Sequence, residues 1–208
     1  MSSGNEKVAQ VARVFLSRLK GLRVYHFHDT SEEAHIRTNQ GIDRNRNLLS
    51  NGGNLASFLY MLQESFPSHY ERILTTVRLA VPFLRSFDLE PDRLNQKQIQ
   101  LRWRDHNPDY EFGPHQLSDG SIRAIALITA LLQPEELLPT VIFIDEPELG
   151  LHPSAIGIVA KLLKAVSAKR QVVVSAKAER AARRKWPRHP ANRAGTASNL
   201  GGSLWPRG

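Results

Sequence analysis

The stretch "VIFIDEPELGLHP", residues 141–153, decides the reading of this sequence. Four apolar residues run directly into adjacent carboxylates, Asp145 and Glu146, and then into Pro147. Paired negative charges repel, so they belong at the end of a buried strand, where a polar crevice can receive them, rather than within it. Downstream, a helix is expected from Pro153 to about 168, followed by the strand "QVVVS" at 171–175. Two apolar strands joined by a helical crossover predict a parallel β-α-β unit buried on both faces. On such sheets ligands bind outside the carboxyl ends of the strands, which is where Asp145 and Glu146 fall. A pair of hard oxygen donors there suits Mg²⁺, and the second carboxylate can orient or deprotonate a water. The plainer alternative is that both residues merely start a turn before Pro147.

Twenty-five residues upstream lies "HQLSDGSIRAIALITALL", residues 115–132. Ser118 precedes a long apolar helix and can serve as a simple cap. Gly120, where a capping side chain would suffice, predicts a close approach to the backbone there. The free N–H groups and positive dipole end of that helix favour an anion such as phosphate.

Together these segments resemble the ATP-binding-cassette ATPases. "LSDGS" is similar to their signature motif, and "VIFIDEPELGLHP" to their Walker B strand and D-loop. The likeness falls nearest the SMC/RecF-like branch, the AAA-type ATPases of prokaryotic repair and defence systems. "YHFHDTSEEA" at 25–34 is similar to the start of the lobe that branch inserts between Walker A and signature. The resemblance spans roughly residues 20–175. It implies an α/β fold, a partial P-loop NTPase-like domain with a mostly parallel sheet and a helical insertion lobe. It further implies ATP and Mg²⁺ as cofactors, with Asp145 holding Mg²⁺ through water and Glu146 as general base. Ser118, Asp119, Gly120 and Ser121 would contact ATP bound to a second head, in a homodimer or with another ATPase subunit. Glu148, Leu149, Gly150, Leu151 and His152 would form the D-loop at the dimer seam, and DNA is a candidate partner.

Two departures stand against that pattern. A Walker A loop, G-x-x-x-x-G-K-[ST], cradles phosphates and supplies a lysine; Gly4, Gly21, Gly41, Gly52 and Gly53 are not placed to form one. The strand at 171–175 should lead into a switch loop bearing His or Gln, but Ser175 is followed by Ala176 and Lys177. The expectation is therefore an ATPase head truncated at both ends. The alternative is a non-catalytic fragment or pseudo-ATPase partner that binds another head or nucleic acid.

Composition divides the chain in the same place. The 208 residues carry a net charge of +8, of which residues 177–208 contribute +7. That segment is rich in Ala, Arg, Gly and Pro and lacks apolar periodicity, so it is expected to be a disordered basic tail following a 1–176 ATPase domain. It reads either as a basic arm for nucleic acid or, more plainly, as an out-of-frame ending. The absence of cysteine excludes disulfides and thiolate chemistry. No apolar run approaches the roughly 20 residues of a membrane span, and "MSSGNEKVAQ" is not a secretion signal. A cytoplasmic protein that makes no use of a membrane is expected.

The remaining elements are read from periodicity. Helices are expected at 6–20, at 54–66 with Asn54 as cap, and at 68–80. "RVYHFH" at 23–28, "FLRSFDLEP" and "QIQLRWRD" have strand composition. His26, His28 and Asp29, with His35 nearby, invite a metal reading but lack a defined ligand set. Trp103 between Arg102 and Arg104 can stack on a base, although strand alternation predicts Trp103 facing the core.

Overall fold

The computed structural model describes residues 21–107 and 109–176, together with Val8 and Gln10. The helix expected at 6–20 falls outside these apart from Val8 and Gln10, both helical, and the tail at 177–208 lies wholly outside.

The central sheet has three parallel strands in the order β1 (Leu22–Tyr25), β6 (Val141–Asp145), β7 (Gln171–Ser175). Register places Tyr25 beside Ile144 and Ser175 beside Asp145, so all three strands end at one edge. The parallel arrangement is as expected, but burial on both faces is not. Ile142 and Ile144 are fully buried, while Leu22, Val24 and Val173 on the sheet's outer positions are exposed. The described helices join the core through the Ile142/Ile144 face, leaving the other face to alternate and β7 as an edge. β1 is also shorter than expected. After Tyr25 the chain leaves the sheet and the His26 amide donates to the Ser50 carbonyl at 2.9 Å.

Between β1 and the last third lies the helical lobe. Helices α1 (Leu55–Ser65) and α2 (Pro67–Ala80) pack on each other, and α2 packs on α3 (Asp119–Leu132). Pro67 at the first position of α2 fixes the entering φ where no N–H is needed. Asn54 holds the cap position of α1 but does not cap it. It is 1% exposed, its amide nitrogen donates to Arg44 and Asn47 carbonyls, and its oxygen accepts from the Leu49 amide. The first-turn amides of Ala56 and Ser57 instead donate to buried Gln40 Oε1, at 2.8 and 3.3 Å. Asn54 thus ties down the loop before the helix, and a residue from a two-residue strand, β2 (Gln40–Gly41), supplies the missing acceptor.

β2 pairs antiparallel with β4 (Gln98–Ile99), and β3 (Ser86–Asp88) with β5 (Arg102–Arg104). The segment "QIQLRWRD" therefore divides between two partners. Trp103 is 5% exposed, stacks on Phe112 with centroids 4.6 Å apart, and donates from Nε1 to the Gly113 carbonyl. Arg102 and Arg104 flank it in ion pairs with Glu111 and Asp88. The core-facing reading of Trp103 holds, and base stacking has no free ring face to use.

α3 is the most buried helix, with Ile122, Ile125 and Ile128 fully enclosed. Each such side chain stabilises the fold by about 1.5–3 kcal/mol. α4 (Pro153–Ser167) packs on α3 and on β7. No helix among the described residues is long and apolar enough to cross a membrane.

Candidate functional site

Asp145 ends β6 at the carboxyl edge of the sheet, its side chain 37% exposed. Glu146 follows with φ of +43°, the left-handed region that side chains other than glycine's rarely enter. Its amide donates to the Ser175 carbonyl at 2.7 Å, so the end of β7 holds the backbone where the strand breaks. Its carbonyl accepts from Leu149, and Gly150 at φ +69° completes the turn. Leu151 then drops into the core at 8% exposure. His152 Nδ1 accepts from the Ser154 amide at 3.3 Å and caps α4, which is the helix-start role its place before Pro153 predicts.

Ser118 caps α3. Its hydroxyl accepts from the Ser121 amide at 3.1 Å and lies 2.8 Å from the Ser121 hydroxyl. The close approach expected at Gly120 is present, and its partner is the chain's own Gly150. A Cβ on Gly120 would sit 2.1 Å from the Gly150 carbonyl oxygen. The glycine at 120 thus seats the Ser118–Ser121 turn directly on the Glu146–His152 loop.

Asp119 faces outward from that turn and pairs with buried Arg37 at 2.9 Å. Partial burial pushes its carboxyl up, but the Thr30 hydroxyl and the Arg37 guanidinium outweigh this and hold it below the usual aspartate range. A folded value below the unfolded one stabilises above the ordinary value of 3.8, and the stabilisation is lost as pH falls through the depressed value. Urea unfolding of Asp119→Asn from neutral pH to below pH 3 is therefore expected to show a shallower acid loss than the parent chain. Identical acid limbs would remove the pairing from the account.

Three residues that the sequence reading left out of the site organise it. Arg37, 4% exposed, donates to the carbonyls of Thr30, Pro114 and Leu117 and to Asp119. Arg123 donates to the carbonyls of Phe27 and His28 and to the Thr30 hydroxyl. His28 Nε2 lies 3.4 Å from the Asp145 carbonyl oxygen and 3.7 Å from its carboxylate. Its neighbour His26 is exposed, with ring centroids 6.5 Å from those of His28. Among the described residues no group of three or more His, Cys, Asp or Glu side chains is gathered as a metal cage. In the sequence His28 drew notice only for a metal, and the signal for its place here was the apolar strand before it. Pairing that strand with β6 carries the residues just beyond Tyr25 to the end of β6.

The parallel sheet with this loop at its carboxyl edge belongs to a domain of the AAA-type ATPase class. The chain belongs to the family described as "AAA domain, putative AbiEii toxin, Type IV TA system", whose family model matches residues 17–175. Among solved structures the chain is similar to an SMC head bound to the C-winged helix domain of ScpA, with TM-score 0.49 and 11% identity. That match covers 76% of this chain and 47% of the other, so the chain spans about half the length of that structure. No curated protein matches the chain.

Proposed function

We propose that this chain is the hydrolysis-bearing part of an ATPase head that works against a second head, with ATP held between them. The observation that carries the reading is Glu146, placed directly after Asp145 at the sheet edge in a backbone conformation that costs stability. Strain of this kind persists where surrounding structure enforces it, and functional sites are where it collects.

The donor chemistry fits Mg²⁺: Asp145 offers a partly exposed carboxylate, a hard oxygen donor, at the carboxyl edge of the sheet. Bound there, Mg²⁺ would neutralise charge on the phosphate oxygens. Glu146 accepts a proton from the water that attacks the terminal phosphorus, as the bond to the ADP oxygen breaks and ADP and phosphate form. Ser118, Gly120 and Ser121 present a hydroxyl pair and a helix N-terminus to the terminal phosphate held by the other head. Asp119 is held by Arg37 and fixes the turn from outside. Glu148 to His152 form the loop at the seam, with Leu149 and Gly150 outward and Leu151 anchoring inward. A homodimer or a second ATPase subunit is the partner, and DNA is the substrate on which closure would act. The family's description as a toxin–antitoxin component favours a defence role over repair.

The test is ATP binding and turnover by the purified chain with Mg²⁺, beside Glu146→Gln. Turnover that requires Mg²⁺ and falls about 10²- to 10⁴-fold in the variant supports the reading. Turnover unchanged in Glu146→Gln rules out this site. Neither binding nor turnover, alone or mixed with a second head, makes the chain the non-catalytic partner instead.

A further inference from the structure

Arg123 stands just past the first turn of α3, yet its guanidinium serves two other stretches. Nε donates to the Phe27 carbonyl at 2.9 Å, and one terminal nitrogen donates to the His28 carbonyl at 2.7 Å and the Thr30 hydroxyl at 3.0 Å. The other terminal nitrogen lies against Gly150, where a Cβ would come within 2.6 Å of it. Three residues earlier, Gly120 rests on the Gly150 carbonyl. A planar guanidinium with five donors in a fixed fork can hold such a set, and a lysine ammonium cannot span it. The carbonyls it holds belong to the loop that sets the His28 ring beside Asp145.

We propose that Arg123 is a positioning residue that couples the partner-facing surface, Ser118–Ser121 with Gly150, to the Asp145 edge of the same chain. The physical path is continuous. It runs from Gly120 and Gly150 to the guanidinium, to the Phe27 and His28 carbonyls, and from the His28 ring to Asp145. In its consequence the proposal rests on the two-headed reading above: a head closing on Gly150 presses the guanidinium from one side while the Phe27–Thr30 loop is pinned to the other. Each head's hydrolytic edge then senses whether its own outer turn is engaged, and by linkage the reverse also holds. Such a device would keep two shared sites in step without a separate element between them.

The test uses the full chain without nucleotide, labelled at histidine, with the His28 ring resonances assigned through His28→Gln. Gly120→Ala drives the helix start away from Gly150, and Ser118→Ala, which removes the cap without adding an atom, is the milder second perturbation if the first does not fold. At a fixed pH where imidazole is neutral, a folded perturbation is expected to shift the His28 resonances, and Arg123→Lys is expected to abolish that shift. A shift of equal size in both backgrounds, or none with Arg123 present, overturns the proposal. The readout needs no turnover, so the two readings fail separately. A coupled chain that never hydrolyses ATP loses the ATPase reading alone, and a hydrolysing chain with an unresponsive His28 loses this one alone. Where turnover is present, Arg123→Lys is expected to lower kcat about tenfold with KM unchanged, a coupling-sized change.

Discussion

Arg37→Met is expected to lower the stability of the described fold by about 2–4 kcal/mol, the largest loss for any single polar side chain in it. Methionine keeps the unbranched stem and its packing, so the comparison isolates the guanidinium. That group is buried at 4% exposure and feeds the Thr30, Pro114 and Leu117 carbonyls and Asp119. Without it, the carbonyls lose a charge-assisted donor in a place water reaches poorly. Asp119 contributes less to the loss, because its side chain is 61% exposed and can rehydrate. The consequence extends beyond stability. Pro114 and Leu117 lead into the Ser118–Ser121 turn, and Thr30 follows the loop carrying His28, so one guanidinium holds the two halves of the candidate site at fixed separation. Arg37→Lys is expected to recover little, since a single ammonium cannot reach acceptors spread over three segments. Urea unfolding is the measurement. With an m-value of about 1–3 kcal/mol/M, the midpoint should fall by roughly 1–2 M. A fall below about a quarter of that would mean water already solvates the cluster, and Arg37 would lose its organising role.

The carboxylate pair, the serine cap and the helices on either side were legible because each is written locally. Asp145 and Glu146 follow an apolar run, Ser118 precedes one, and Pro153 opens one. What the sequence did not disclose depends on long-range contact. Gln40 caps α1 from a distant two-residue strand, a job that spacing assigned to Asn54. Arg37 and Arg123 carry no periodic signal, because an arginine that will bury its head among carbonyls looks in sequence like one that will meet water. The pairing of β1 with β6 was equally hidden. Without it His28 is the end of a strand, and with it His28 lies beside Asp145. Gly120 was legible in kind but not in object: the glycine announced a close approach, and the fold supplied the Gly150 carbonyl.

Glu146→Gly and Glu146→Ala are expected to abolish turnover alike and to differ in stability. A non-glycine residue at φ +43° pays roughly 1 kcal/mol or more for crowding between its Cβ and the backbone. Alanine keeps that Cβ and therefore the strain, while glycine loses it at the expense of a more flexible unfolded chain. Both variants lack the carboxylate, so whatever the side chain itself contributes cancels between them. The glycine variant should be the more stable by about 1 kcal/mol in urea or thermal unfolding. Against the parent, turnover should fall about 10²- to 10⁴-fold in both, as expected when a proton acceptor is removed. The pattern of activity lost alike with stability split separates two explanations that either measurement alone confuses. If Glu146 were kept merely to start the turn before Pro147, glycine would serve that turn better, and its replacement would harm nothing. A residue that holds an unfavourable backbone conformation, and whose better-fitting substitute destroys the reaction, is there for its carboxylate. Equal stability of the two variants would mean the loop relaxes out of the left-handed region once Glu146 is gone. The strain would then belong to the glutamate's own contacts rather than to the hold of the Ser175 carbonyl on its amide.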